Sequence, residues 1–173
     1  MQGEVAMATI FEVRGPFKIY TTGTTKGSQL IKKEDLRFFW KDNRTFADRV
    51  GCYVFTMKYY GYVPWYVGKT LKGFKAECFT DSKRVKYNEV LAESETGQPY
   101  MFFVIKTNRG PIAKNHISQM EKHLIRAGYA VNHGLKNTHN TVEEVNWVIK
   151  NVTEYTRGRT PNAARQFCKM LGY

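Results

Sequence analysis

Two tyrosines and a lysine stand in two short runs that read as strands, and an acid and an amide follow farther along the chain. Gly51-Cys52-Tyr53-Val54-Phe55 is a short apolar run; a polar, glycine-containing turn follows, and then Trp65-Tyr66-Val67-Gly68-Lys69. The two runs read as adjacent strands, which sets Tyr53 and Tyr66 near one another with Lys69 just past the second. Farther along stand Glu121, within Gln119-Met120-Glu121-Lys122-His123, and Asn132. A carboxylate is an oxygen ligand suited to hard Mg²⁺ or Mn²⁺, ions that retain waters while binding a phosphate. A phenol with its ordinary pKa of about 10 is a poor base and needs positive charge close by. Lys69 can provide that charge and also neutralise phosphate. Gly68 allows the backbone to turn closely beside these groups.

The elements that must hold these residues are partly readable. Residues 7–20 suggest two short strands around Gly15-Pro16, and Thr21 to Ser28 a loop. The aromatic patch Leu36-Arg37-Phe38-Phe39-Trp40 either packs this extension onto the main domain or stacks on nucleic acid. Residues 50–57 and 63–68 form the strand pair. A helical region runs from Gly73 toward Leu91, with Asp81-Ser82 interrupting it or capping a second helix. Tyr100 to Ile105 is the clearest third strand. Ile117, Met120, Leu124 and Ile125 share the apolar face of a helix that Gly128 would stop. Asn132 to Asn137 is a loop. Thr141-Val142-Glu143-Glu144 reads as the start of a helix carrying Val145, Trp147, Val148 and Val152 on one stripe. Pro161-Asn162 opens a last short helix with Phe167 and Leu171 as packing residues.

Size and charge bound the function. The 173 residues suit one domain, and 42% hydrophobic with 14% aromatic residues argues against wholesale disorder. No apolar segment approaches the roughly 20 residues of a membrane span, and the start lacks a secretory pattern, so a cytoplasmic protein without a membrane partner is expected, with nucleoid association an option. Twenty-seven Lys plus Arg against fifteen Asp plus Glu give +12, which favours a polyanionic partner and salt-dependent binding. Cys52, Cys78 and Cys168 form no CxxC pair and read as packed thiols. His116, His123, His133 and His139 make no zinc pattern, and Lys69-Thr70 lacks the glycines of a phosphate-binding loop.

With the residues set out, the pair Gly51-Cys52-Tyr53 and Tyr66-Val67-Gly68-Lys69 resembles the two signatures of the GIY-YIG nuclease superfamily, Cys52 replacing the usual aliphatic residue. Twelve residues separate the tyrosines, close to the family's spacing. The resemblance covers roughly residues 50–135. It implies an α+β fold: a compact three-stranded antiparallel sheet flanked by helices, with a strand-containing N-terminal extension over 1–49 and C-terminal helices over 136–173, all in a single domain. It makes Glu121 the carboxylate ligand of one divalent ion, Mg²⁺ or Mn²⁺, and Asn132 the supporting amide, with Asn137 as the alternative. Tyr53 would help activate water, Tyr66 would orient the nucleophile or phosphate, and Gly68 would lie against the phosphate.

The family's arginine belongs near the start of the helix after the second signature. Phe74-Lys75-Ala76-Glu77 offers only Lys75 there, which lacks the planar fork of an arginine. Arg84 takes that role if an inserted turn shifts the helix, and Tyr87 then resembles the aromatic one turn later. The implied activity is metal-dependent hydrolysis of nucleic-acid phosphodiesters, DNA favoured over RNA, in a restriction, repair, mobile-element or defence setting. A homodimer would deliver two cuts. Arg157, Arg159, Arg165 and Lys169 would lengthen a substrate groove. The competing readings are a non-cleaving nucleic-acid-binding relative and a protein-interaction module.

Overall fold

The structure is a computed structural model, describing residues 8–23, 25, 27–137, 147–153 and 158–173. Among these residues five strands lie in one sheet: β1 (Thr9–Lys18), β2 (Gly51–Lys58), β3 (Tyr62–Thr70), β4 (Gln98–Lys106) and β5 (Trp147–Ile149), in the order β3-β2-β4-β1-β5. All pairings are antiparallel except β1 with β5, which is parallel. Among the described residues five α-helices accompany them: α1 (Leu36–Asp42), α2 (Phe74–Glu77), α3 (Asp81–Glu93), α4 (Lys114–Val131) and α5 (Asn162–Leu171).

This overturns the expected three-stranded antiparallel sheet. The sheet is five-stranded and mixed, curled into a half-barrel with helices around it. Two segments assigned to flanking extensions supply the additional strands. Residues 9–18 form one continuous strand instead of a hairpin, because both halves pair with β4, and the register shifts between Arg14 and Phe17 where Gly15 and Pro16 intervene. Gly15 has φ 121°, and a side chain there would sit 2.9 Å from the Met101 carbonyl oxygen, so the irregularity is built around a glycine.

Trp147–Ile149, expected in a helix, is also a strand. Trp147 and Ile149 are buried while Val148 between them is half-buried, an alternation of period two. The β-branched pair Val148-Ile149 suits this geometry, and β1 presents an open edge for it to join. Residues 141–146, where that helix was expected to begin, lie outside the described residues.

The core has two layers, one on each face of the sheet. Tyr53, Phe55, Met57, Met101, Phe103 and Ile105 face α1, α2 and α3, whose Phe39, Trp40, Phe74 and Tyr87, with Phe79 from the link between α2 and α3, complete that layer. Cys52, Val54, Val67, Phe102 and Val104 face α4 and α5. Central β2 is covered on both sides, and so its run from Gly51 to Met57 is buried throughout. The aromatic patch of residues 36–40 is a packing element: Phe39 and Trp40 are buried, and Trp40 lies parallel to Phe103 with ring centres 6.3 Å apart. Gly128 does not end α4. It lies buried within the helix, packed close to Leu135 and Pro64. No helix among the described residues is long and apolar enough to cross a membrane.

Candidate functional site

β3 is an edge strand, and its last residues carry the chemistry singled out in the sequence. Opposite residues of β2 and β3 pair Tyr53 with Gly68. The Tyr53 ring lies directly over Gly68, where an added Cβ would stand 2.3 Å from the phenol oxygen and its ring carbon. Gly68 is therefore a packing requirement for Tyr53. The phenol is fully buried, edge-on to Phe74 with ring centres 6.4 Å apart, and its hydroxyl donates a long hydrogen bond (3.5 Å) to the Glu77 carbonyl oxygen. Burial, reinforced by Tyr87 and Cys78, drives its pKa far above the ordinary value.

Tyr66 is half-buried on the same side of the sheet, its ring centre 6.4 Å from that of Tyr53 and 5.8 Å from that of Tyr87. Burial raises its pKa first, and the negative charge of Glu121 adds to the shift. At neutral pH both phenols are protonated donors.

Lys69, three residues on, projects to the other face of β3, toward α4. Its Nζ lies 3.0 Å from Glu121 Oε2 and donates to Ser118 Oγ at 3.1 Å. Ser118 and Glu121 are three residues apart on α4 and therefore neighbours on its surface, flanking the stripe of Ile117, Met120 and Leu124 that packs on the sheet. The glutamate keeps 20% of its side chain exposed, and the lysine 36%. The pair is an ion pair at the rim, open to solvent.

The other expected members are placed differently. Asn132 Nδ2 donates to the Pro64 carbonyl oxygen (2.7 Å) and its Oδ1 accepts from the Gly134 N–H (3.0 Å). Asn137 donates to the Val67 carbonyl oxygen and accepts from the Val67 N–H, both at 2.7 Å. With Lys136 N–H donating to the Trp65 carbonyl oxygen at 2.8 Å, the loop after α4 covers the free edge of β3. Asn137, between Tyr66 and Lys69 in position, is the amide nearer the centre along the strand. Both amides serve the backbone.

Arg84 forms an ion pair with Asp81 one turn back on α3, and its Nε is buried without a partner among the described residues. The guanidinium holds the Asp81 carboxyl below its ordinary pKa. Lys75 is exposed on α2. Tyr87 is fully buried, stacked on Phe55 at 4.2 Å and donating to the Cys78 carbonyl oxygen at 2.9 Å. The cations that do reach the tyrosines are Lys83 and Lys86. Lys83 Nζ is 5.5 Å from the centre of the Tyr53 ring and 3.0 Å from Glu77 Oε2; Lys86 Nζ is 5.1 Å from the centre of the Tyr66 ring. Their three-residue spacing put both on one face of α3, a signal present in Lys83-Arg84-Val85-Lys86-Tyr87.

Among the described residues, no group of three or more His, Cys, Asp and Glu side chains converges as a metal cage. His139 and Arg157 lie outside the described residues. Glu121, ion-paired to Lys69, is the carboxylate at this end of β3 that could hold a hydrated hard cation, water and phosphate oxygens supplying the other ligands. The structure thus places Tyr53 and Tyr66, with Lys83 and Lys86 near their rings, on one face of the sheet at the end of β3, and Lys69 with Ser118 and Glu121 on the other face, and commits Arg84 to Asp81. The chain matches no protein-family model, no curated protein and no solved structure.

Proposed function

We propose that the chain is a divalent-metal-dependent nuclease of the GIY-YIG type, hydrolysing nucleic-acid phosphodiester bonds with DNA as the favoured substrate. The observation that carries this reading is the solvent-open Lys69–Glu121 pair at 3.0 Å, at the end of the strand that also bears Tyr66. A phosphodiester centre requires a carboxylate for the ion and an ammonium for the phosphate charge, and both are present there. A Mg²⁺ or Mn²⁺ ion bound by Glu121 would supply Lewis-acid stabilisation of the scissile phosphate.

The chain's own residues divide the remaining work. Lys69, held by Ser118 and Glu121, neutralises a non-bridging phosphate oxygen. Lys86, above the Tyr66 ring, adds positive potential on the other side of β3. Tyr66 is a protonated, half-exposed phenol and orients the attacking water or the phosphate by donating a hydrogen bond. Tyr53 is buried and fixes β3 against β2 beneath Gly68. Preorganised charge of this kind contributes more than any one formal base.

The test is Glu121→Gln, assayed for cleavage of labelled DNA and RNA in Mg²⁺ and Mn²⁺. Specific activity should fall at least about 10²-fold with the circular-dichroism spectrum unchanged. Undiminished activity in a clean preparation rejects the assignment. The commitment of Arg84 to Asp81 and the burial of Tyr53 favour a second reading, a nucleic-acid-binding protein that does not cleave. Saturable binding without cleavage in either metal, across duplex and single-stranded substrates, would select it.

A further inference from the structure

At the opposite end of β3 from Lys69 lies a cavity of about 290 Å³, lined by Lys58, Tyr60, Gly61, Tyr62, Gln166, Lys169 and Met170. Its walls are the β2–β3 turn and α5. Three observations define what it can hold. First, the charged side chains lining it among the described residues are both lysines, and no carboxylate balances them. Second, Tyr60 at the turn is fully exposed, while Tyr62 is fixed edge-on against Tyr100 and Phe102 with ring centres 5.5 and 5.4 Å away. Third, Gln166 donates from Nε2 to Asn162 Oδ1, which fixes its amide orientation, and leaves Oε1 buried without a hydrogen-bond partner among the described residues. A buried acceptor without a donor carries a cost that a ligand N–H would remove.

We infer that this cavity is a subsite for one unpaired nucleotide unit. The base stacks on Tyr60 and gives an N–H to Gln166 Oε1, and the phosphate sits by Lys58 and Lys169. An anion, a planar π-face and a hydrogen-bond donor are the three features the walls ask for, and a nucleoside monophosphate unit combines them. The volume lies at the lower end for small-ligand sites, about 300 Å³, and suits one nucleotide better than a larger cofactor. Tyr62 stands seven residues before Lys69 on β3, about 23 Å away at the rise of a strand, so the subsite would grip a strand well away from the Glu121 end. The inference rests on the nucleic-acid substrate proposed above and not on cleavage.

The experiment uses the full chain in EDTA and fluorescence anisotropy of a labelled short oligodeoxyadenylate. Tyr60→Ala should weaken binding about 5- to 150-fold, the range for losing one base stack, and Tyr60→Trp should restore it. Lys169→Gln should lower the salt dependence of binding by about one phosphate contact. Tyr60 is exposed, so its loss leaves the core intact. Competition by dAMP that disappears in Tyr60→Ala shows that free nucleotides enter; oligonucleotide binding without dAMP competition assigns the site to strands. Either result supports the subsite. Wild-type affinity in both Tyr60→Ala and Lys169→Gln overturns it, as does inorganic phosphate displacing the oligonucleotide as well as dAMP does where dAMP displaces it. The binding assay runs in EDTA and needs no cleavage, so failure of the cleavage reading and failure of this one are separable.

Discussion

Replacing Gly68 with alanine tests the packing that sets the two tyrosine strands. The new Cβ would lie 2.3 Å from Tyr53 Cζ and its hydroxyl oxygen and 2.7 Å from a further ring carbon. A flexible side-chain end would swing away, but this one is a rigid ring that is 0% exposed and backed by Phe74 and Tyr66. The strain must pass into the β2–β3 pairing. Overpacking of this kind costs about 1–3 kcal/mol. With a urea m-value of about 2 kcal/mol/M, the unfolding midpoint should fall by about 0.5–1.5 M. A double-mutant cycle with Tyr53→Leu isolates the cause, because a smaller side chain removes the ring that the added methyl group would strike. The two substitutions should be non-additive by about 0.5–3 kcal/mol, with Gly68→Ala costing less when Tyr53→Leu is already present. A Gly68→Ala midpoint indistinguishable from wild type, or strict additivity, would refute the contact. Cleavage should fall with Gly68→Ala even where the protein remains folded, because β3 carries Tyr66 and Lys69 with it.

Three further outcomes follow from the same geometry. Lys69→Met should change stability by less than about 1 kcal/mol, since the Lys69–Glu121 pair is at the solvent rim, yet it should reduce cleavage and lower the salt slope of nucleic-acid binding; a large loss of stability with normal cleavage would contradict this. Asn137→Ala removes both hydrogen bonds to Val67 and should cost about 1–3 kcal/mol while accelerating hydrogen exchange at the Val67 amide, and an unchanged exchange rate would show that the loop does not protect the edge. Burial raises the pKa of Tyr53, Tyr66, Tyr87, Cys52 and Cys78, so the unfolded chain releases these protons first as pH rises. Stability is therefore fully present below roughly pH 8 and should decline from about pH 9 upward, read as a falling urea midpoint; a flat profile to about pH 11 would be the contrary result.

Much of the scaffold around the centre was legible locally. The unbroken apolar run of β2 marked a strand covered on both faces, and the three- and four-residue spacing of Ile117, Met120 and Leu124 gave the buried side of α4. Ser118 and Glu121 then had to stand together beside that stripe. Lys83 and Lys86 were readable by the same spacing, although the family pattern asks for an arginine in that region. Strands β1 and β5 were hidden for a different reason. A three-residue strand such as Trp147–Ile149 contains too little periodicity to separate from a helix, and its conformation depends on the edge that β1 offers from far along the chain. Arg84 was misleading because its nearest acid, Asp81, is a local helical neighbour that captures it.

The sequence by itself determined the apolar run of β2, the amphipathic face of α4, the positive charge and the inventory of reactive groups, because each depends on composition or on neighbours a few residues apart. Only the tertiary structure decided that Tyr53 is buried beneath Gly68, that Asn132 and Asn137 are spent on the β3 edge, and that Lys69 meets Glu121 across the sheet–helix interface. Those outcomes depend on which surfaces pack together, and packing joins residues that no local pattern connects.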